Sequence, residues 1–153
     1  MVIKIFATVG STYPLDRLIK ELDLIGESKN YKIFAQIGES EFKPKNIEFT
    51  KFLTYKEMQA KIRWANLIIS HAGAGSIIDL LTSNKKFILF PRLKKYNEAI
   101  DDHQLELCEA FEKTYNINYT TKSSKIIHLF KSIKIKNNKN ETKLIKSIKE
   151  IIQ

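Results

Sequence analysis

A run of small and polar residues near the middle of the chain, Ser70 to Ser76, has the composition of a phosphate-binding turn. It reads Ser-His-Ala-Gly-Ala-Gly-Ser and follows the short apolar run Leu67–Ile69, which predicts a strand. Gly73 and Gly75 allow the backbone to turn sharply and let a ligand approach it closely. A helix that starts after such a turn directs unpaired N–H groups and the positive end of its dipole towards the ligand. The run therefore predicts a site for a phosphate or diphosphate group at the start of a helix.

The start of that helix carries a second signal, although the turn also has a purely structural interpretation. Ser76 followed three residues later by Asp79 is a capping-box pattern, which predicts a helix that begins just after Ser76. Two glycines at a strand–helix turn also occur for reasons of geometry alone. Ile78 stands where the dinucleotide-binding fingerprint needs a small residue, and no Gly-Lys-Ser or Gly-Lys-Thr sequence is present. The pattern thus indicates a diphosphate-like ligand outside the dinucleotide-binding and Walker-type classes.

Three other segments with ligand-binding character accompany predicted strands. They are Gly10-Ser11-Thr12, Gln36-Ile37-Gly38, and the stretch after Pro91. Gly10-Ser11-Thr12 offers hydroxyl groups and backbone N–H groups at the carboxyl end of its predicted strand. Because the carboxyl ends of parallel strands meet at one edge of a sheet, we expect these segments to lie beside Ser70–Ser76 at that edge.

The elements that must position these segments alternate between strands and helices. Strands are expected at Val2–Val9, Lys32–Ile37, Ile47–Phe49, Leu67–Ser70, Phe87–Phe90 and Ile117–Tyr119. Helices are expected after Pro14, from the capping box Thr54 to Glu57, after the central turn, and from about Asp101, Ser123 and Glu141. The charged stretch Arg92–Ile100 is expected to be mobile. This order predicts an α/β fold, a Rossmann-like parallel sheet with helices on both faces, in a single domain over residues 1–153.

Length and composition describe one folded domain with an excess of positive charge. The 153 residues are 43% hydrophobic and carry a net charge of +9, with a lysine-rich segment over residues 122–153. Such a segment suits an anionic membrane surface or an acidic partner better than nucleic acid, because no nucleic-acid-binding motif accompanies it. The lone Cys108 excludes an internal disulfide. No signal-peptide pattern or membrane-spanning run is apparent, so we expect a cytoplasmic protein.

Four motifs taken together resemble the donor-binding domain of glycosyltransferase family 28. They are Val9-Gly10-Ser11-Thr12, Gln36-Ile37-Gly38, the run from Ile69 to Ser76, and Asp102-His103-Gln104-Leu105-Glu106-Leu107. The resemblance covers about residues 2–119 and implies one half of a two-domain GT-B fold. The chain is most similar to free-standing versions of this half, such as catalytic subunits of bipartite N-acetylglucosaminyltransferases and small proteins of bacterial capsule and exopolysaccharide synthesis.

The resemblance implies roles for the matching residues. Gly75 and Ser76 would bind the donor diphosphate, Asp79 the ribose hydroxyls, and Gln104 the hydroxyls of the sugar. The competing interpretation of Asp79 is the capping box with Ser76, and Asp102 either orients the sugar loop or caps a helix. For His71 and His103, the alternative to ligand contacts is that the loop backbone supplies the hydrogen-bond partners of the ring. Residues expected near the reacting centre are Ser11, Thr12 and His71, and the other expected donor-binding residues are Gly10, Gln36, Gly38, Ser70, Ala72, Gly73, Ala74, Asp102 and His103.

The implied activity is an inverting transfer from a UDP-sugar, without an obligatory metal or other cofactor. Because only the donor half is recognisable, the resemblance implies a separate membrane-anchored acceptor-binding subunit. That partner would present a lipid-linked sugar acceptor, supply the general base and hold this chain peripherally at the inner face of the membrane. The expected context is bacterial capsule or exopolysaccharide synthesis. The alternative is a non-catalytic nucleotide-sugar-binding or stabilising subunit of a partner transferase.

The C-terminal segment, residues 122–153, is a candidate for the partner interface. Its apolar residues Leu144, Ile145, Ile148, Ile151 and Ile152 form one stripe at helical spacing. Such a helix is compatible with packing on its own sheet, on the partner subunit or on an anionic bilayer. The polar stretch Lys136–Asn140 before it favours docking on the partner.

Overall fold

Five parallel strands form one sheet in the computed structural model, which describes residues 1–133 together with Lys146 and Glu150. In chain order the strands are β1 (Ile3–Thr8), β2 (Tyr31–Gln36), β3 (Glu48–Thr50), β4 (Leu67–Ser70) and β5 (Lys86–Leu89). Their order across the sheet is β3-β2-β1-β4-β5. The chain therefore moves from the centre to one edge and then crosses back to build the other side.

Helices follow the strands and cover both faces of the sheet. They are α1 (Asp16–Ile25), α2 (Tyr55–Trp64), α3 (Ala74–Thr82), α4 (His103–Tyr115) and α5 (Ile126–Ser132). The expected capping box of α2 is confirmed, because Thr54 Oγ1 accepts a hydrogen bond from the Glu57 N–H and the Glu57 carboxylate accepts one from the Thr54 N–H. The predicted α/β class with a parallel sheet is likewise confirmed.

Alternate residues of each strand belong to two separate cores. In β1, Ile5 and Ala7 pack in the core that contains residues of α1 and α5, whereas Phe6 packs in the core that contains residues of α2, α3 and α4. This two-sided burial explains why the central strands are apolar throughout, as parallel strands covered on both faces are. The same alternation directs Thr8 and Ser70, which are paired across β1 and β4, to the α2 and α3 side.

Two of the sequence-based expectations for elements are wrong. Ile117–Tyr119 is not a strand of the sheet, since only Tyr119 makes a bridge to Leu89. The stretch Arg92–Ile100 is not a free loop, because Arg92, Leu93 and Glu98 are buried. Arg92 and Glu98 bond to residues far away in the sequence, which the local composition cannot reveal.

The expected helix from about Glu141, with its apolar stripe, lies outside the described residues except for Lys146 and Glu150. Over the part of the chain that the structure describes, no helix is both long and apolar enough to cross a membrane.

Candidate functional site

The helix after the central turn begins at Ala74, two residues earlier than the capping-box pattern predicts. Gly73 is its N-cap residue, in extended conformation, and no side chain accepts a hydrogen bond from the first turn. Ser76 therefore lies inside the helix, and the expected capping box of Ser76 with Asp79 is wrong. The physical reason is that Gly73, in extended conformation, takes the N-cap position, at which glycine is tolerated. The N–H groups of Ala74 to Ser76 are left without a partner among the described residues.

Space is open above this uncapped helix start. Gly75 is exposed, and no atom lies within 4 Å of the position that a Cβ would occupy there. The predicted diphosphate-binding residues thus lie on an accessible helix N-terminus at the carboxyl edge of the sheet. Its unpaired donors and positive dipole end are suited to an anionic group.

His71 is held in the turn between two glycines. Its ring fills the space that side chains would need at Gly10, which has a φ of +73°, and at Gly73. Nε2 lies 3.2 Å from Ser76 Oγ, and Nδ1 lies 3.4 Å from Nε2 of Gln104. Burial, and to a smaller extent the positive charge of Arg92, lowers the pKa of His71 to about 4. The imidazole is consequently neutral near pH 7.

Gln104 joins α4 to the turn and to the segment after β5. Its Oε1 accepts hydrogen bonds from the N–H groups of Ala72, at 3.2 Å, and of Arg92, at 3.0 Å. The Gln104 side chain therefore connects the turn after β4 to the segment after β5. Its expected contact with sugar hydroxyls stays a prediction.

Asp79 lies one turn into α3 and lines a cavity of about 60 Å³. Thr8, Ser70 and Ser76 supply the other polar groups of its wall, and the apolar wall is formed by Phe6, Met58, Ile62, Ile68 and Leu80. Because the capping box does not form, and no hydrogen bond to the carboxylate occurs among the described residues, the Asp79 side chain is available to a ligand. The capping role that competed with ribose binding is thereby removed, and ribose binding by Asp79 stays a prediction.

Gln36 is buried at the end of β2 and uses both ends of its amide within the protein. Nε2 donates to Thr8 Oγ1 at 3.0 Å, and Oε1 accepts from the Leu53 N–H at 2.8 Å. Thr8 Oγ1 also accepts from the Gly10 N–H at 3.3 Å. Gln36 thus joins the ends of β1 and β2 to the segment after β3. Its predicted contact with the donor stays a prediction. Thr8 was not predicted as a site residue, because a threonine in a strand gives no signal beyond β propensity.

Arg92 is a second residue of the site that the sequence analysis did not identify. It is 2% exposed and its guanidinium donates to the backbone carbonyls of Val9 and, at 3.2 Å, of Pro14. Burial lowers its pKa to about 10, against the opposing effect of Glu98. These bonds hold both ends of the loop that contains Ser11 and Thr12, which are exposed.

A second arginine anchors the same loop system from α1. Arg17 binds Glu98 through two N–H···O bonds of 3.0 and 2.8 Å, and its guanidinium lies over the rings of Phe90 and Tyr96. Bidentate, partly buried pairs of this kind orient both partners strongly. The segment after β5 is therefore a fixed wall of the site.

Asp102 and His103 lie at the start of α4, further from the turn. Asp102 Oδ1 accepts a hydrogen bond from the Lys94 N–H at 2.9 Å and does not cap α4, so the capping alternative for Asp102 is wrong. His103 is 68% exposed, with Nδ1 3.8 Å from the Glu106 carboxylate. Within residues 1–133, no group of three or more His, Cys, Asp or Glu side chains is arranged to hold a metal ion.

The sequence matches one protein family over nearly its whole length. Residues 4–153 match the family described as glycosyltransferase family 28 C-terminal domain. Relatives include the UDP-N-acetylglucosamine transferase subunit ALG13 of Candida albicans, 40% identical over 53% of this chain, and that of Homo sapiens, 33% identical over 76% of it. The chain spans 27% and 11% of these two relatives.

A bacterial relative extends over more of the chain. It is the UDP-N-acetylglucosamine--N-acetylmuramyl-(pentapeptide) pyrophosphoryl-undecaprenol N-acetylglucosamine transferase of Vesicomyosocius okutanii, 25% identical over 88% of this chain and 38% of that protein.

Two solved structures show the same fold. MurG of Acinetobacter baumannii aligns with all of this chain and 42% of its own, at 18% identity and a TM-score of 0.55. The calicheamicin glycosyltransferase CalG4 aligns with 99% of this chain and 39% of its own, at 8% identity and a TM-score of 0.62. The fold is therefore that of a half-domain of GT-B glycosyltransferases, as the sequence predicts.

Proposed function

This chain belongs to the glycosyltransferase family 28 C-terminal domain family, and from that premise we propose that it is the UDP-sugar-binding catalytic subunit of a two-component glycosyltransferase. The observation that carries the proposal is the uncapped start of α3 beneath open space at Gly75. There the N–H groups of Ala74 to Ser76 would bind the donor diphosphate. Asp79, free of a capping role, would accept hydrogen bonds from the ribose hydroxyls.

The donor that best agrees with the comparisons is UDP-N-acetylglucosamine. Three relatives carry N-acetylglucosamine transfer in their names, although each is only partly covered by this chain. The configuration of a single sugar hydroxyl is read by a few loop contacts, so the donor must be identified by direct comparison of UDP-sugars.

The reaction in this proposal is an inverting displacement. The acceptor hydroxyl oxygen bonds to the anomeric carbon as the bond from that carbon to the β-phosphate oxygen breaks, and UDP departs with the electron pair. Backbone N–H groups at α3, with Ser11 and Thr12 in the loop held by Arg92, would stabilise the charge that develops on the phosphate. The acceptor proton passes to a base that we assign to the partner subunit. We propose that the helix dipole and these donors serve where other transferases use a metal ion.

Exposed apolar side chains favour a partner over this edge of the sheet. Tyr13, Phe52, Tyr55, Tyr96 and Ile100 are between 42% and 76% exposed. All of them belong to segments that follow strands β1, β3 and β5 at their carboxyl ends, or to the first residue of α2. This chain spans 42% and 39% of the two matched structures. We propose that a partner subunit provides the counterpart of their other half. A partner that carries the acceptor would cover this rim and close the site.

We propose a lipid-linked sugar as the acceptor, presented by a membrane-anchored partner at the inner face of the membrane. Support comes from the bacterial relative, whose name specifies an acceptor on pyrophosphoryl-undecaprenol. The capsule or exopolysaccharide context depends on the sequence resemblance alone.

The decisive experiment separates donor binding from catalysis. Calorimetry of the isolated chain with UDP and with UDP-N-acetylglucosamine, UDP-glucose, UDP-galactose and UDP-glucuronate measures the first. Co-expression with candidate acceptor-binding subunits, followed by product analysis on lipid-linked sugars, measures the second. Absence of UDP binding would overturn the proposal as a whole. Binding without transfer by any assembled pair would favour the alternative, a non-catalytic nucleotide-sugar-binding or stabilising subunit.

A further inference from the structure

We propose that Gln104 is a positioning residue that fixes the tautomer of His71. In that tautomer the proton is on Nε2, and Ser76 is left to donate its own hydroxyl proton to the donor phosphate. The chain of contacts runs from α4 through the turn to the first turn of α3. The last step, to phosphate, rests on the proposed function, whereas the tautomer is a property of the free protein.

The orientation of the Gln104 amide is determined by two backbone donors. The N–H groups of Ala72 and Arg92 both point at one atom of that amide, at 3.2 and 3.0 Å. Only the carbonyl oxygen can accept from both, because an amide NH₂ group has no acceptor capacity. The NH₂ group must therefore be the end that faces His71 Nδ1 at 3.4 Å.

The protonation of His71 follows from that orientation. A neutral imidazole carries one N–H, and the nitrogen without it is an acceptor. Because the Gln104 NH₂ group can only donate, Nδ1 must be the acceptor and Nε2 must carry the proton. The ring is neutral near pH 7, since burial opposes its charged form. Gly10 and Gly73 pack closely against the ring, and a flip of the ring would place carbon atoms where the two nitrogens now lie.

The Nε2 proton in turn determines what Ser76 does. Nε2 lies 3.2 Å from Ser76 Oγ, so the hydroxyl accepts this hydrogen bond and retains its own proton. No other partner of Ser76 Oγ occurs among the described residues, and Ser76 lines the cavity beside Asp79. The hydroxyl is thus a further donor next to the free N–H groups of α3. In the opposite tautomer it would donate to Nε2 and present only lone pairs, which repel phosphate.

Nitrogen-15 NMR of the histidine side chains measures the tautomer directly in the full-length protein. Long-range ¹H–¹⁵N spectra at pH 7 distinguish a protonated ring nitrogen from an unprotonated one, and His103→Gln and His128→Gln variants assign the three histidines. We expect His71 to have a protonated Nε2 and an unprotonated Nδ1. A protonated Nδ1 in the wild-type protein would overturn the proposal, and this result depends on no variant being stable.

The Gln104→Glu variant replaces the donor that faces His71 Nδ1 with an acceptor while keeping the shape of the side chain. One carboxylate oxygen still accepts from the Ala72 and Arg92 N–H groups, and the other accepts from Nδ1, which draws the proton to that nitrogen. We expect the two ¹⁵N resonances of His71 to change places, or both nitrogens to become protonated, and UDP to bind at least about tenfold more weakly. A His128→Gln variant, altered on α5, should bind UDP as the wild type does.

The outcomes separate this inference from the function on which it depends. Should wild-type protein show the Nε2–H tautomer but bind no UDP, the proposed function fails while the role of Gln104 towards His71 stands. Should the Gln104→Glu variant change the His71 resonances and still bind UDP as tightly as wild type, the donor role of Ser76 is refuted. Unchanged His71 resonances in a folded Gln104→Glu protein would refute the positioning role itself.

Discussion

A Cβ atom on Gly10 would lie 2.6 Å from Nε2 of His71, which is closer than Cβ atoms approach non-bonded atoms in proteins. The loop after β1 and the turn after β4 are thus fitted to each other through a glycine and an imidazole. Their close approach brings the loop that contains Ser11 and Thr12 next to the start of α3. This relationship depends on two segments about sixty residues apart in the chain, and it makes specific substitutions informative.

The Gly10→Ala substitution should reduce both stability and UDP binding. The added methyl group meets the His71 ring, and the φ of +73° at this position is unfavourable for any residue with a Cβ. We expect a loss of about 1–3 kcal/mol in the free energy of unfolding, measured by urea denaturation. Gly26→Ala is a poor control because a Cβ there also meets neighbouring atoms. Gly75→Ala is the matched control for stability, because no atom lies within 4 Å of a Cβ at that position. Equal stability of Gly10→Ala and Gly75→Ala would contradict the prediction.

The Gly75→Val substitution should abolish measurable UDP binding and leave the domain folded. Its side chain would project into space that is empty in the protein, so the cost falls on the ligand. Calorimetry with UDP and thermal unfolding of the same sample provide the two measurements. We expect the melting temperature to change little. Valine is a poorer helix former than most residues, but it replaces glycine, whose helix propensity is lower still. Undiminished UDP affinity in folded Gly75→Val protein would remove the diphosphate site from α3.

How far the sequence predicts this molecule depends on whether a signal is local. The five strands of the sheet and the α2 capping box of Thr54 and Glu57 were predictable, because apolar runs and cap residues act within a few positions. The same pattern at Ser76 and Asp79 gave a wrong prediction, since Gly73 takes the N-cap position and the helix starts at Ala74. A cap pattern specifies a helix start only where no earlier residue takes the N-cap position.

The wall of the site was not predictable, because its bonds join residues far apart in sequence. Arg92 donates to Val9 and Pro14, and Arg17 pairs with Glu98 across 81 positions. Charged residues in a loop ordinarily indicate exposure, and only the fold shows that Arg92 and Glu98 are buried. Motif resemblance located the turn and Gln104, but not the internal bonds that Gln104 makes.

The Asp79→Asn substitution should lower donor affinity without lowering stability. The carboxylate makes no capping bond in α3, so its loss costs the fold little. Hydrogen bonds from ribose hydroxyls to a charged acceptor contribute about 1.5–3 kcal/mol, which corresponds to a loss of at least about tenfold in affinity for UDP. Affinity for uracil, which lacks the ribose, should be unaffected. A lower melting temperature with unchanged UDP affinity would restore the capping interpretation.

The stability of the protein should fall on acidification between about pH 6.5 and pH 4 because of His71. Burial and Arg92 lower the pKa of this imidazole from 6.5 to about 4 in the folded state. In that range the unfolded chain binds a proton at His71 and the folded chain does not, so acid favours unfolding. The depressed pKa corresponds to a loss of up to about 3 kcal/mol once pH reaches 4. Stability towards urea at pH 7, 6, 5 and 4 measures the effect.

Carboxylates titrate in the lower part of the same range, so the prediction concerns a difference between proteins. We expect a His71→Gln variant to be less stable than wild type at pH 7, because it loses the packing against Gly10 and Gly73. Its free energy of unfolding should nevertheless fall less steeply between pH 6.5 and pH 5, where few carboxylates titrate. The His128→Gln variant changes an exposed side chain on α5 and serves as the control. Parallel pH profiles for wild type and His71→Gln would show that His71 is protonated as readily in the folded as in the unfolded chain.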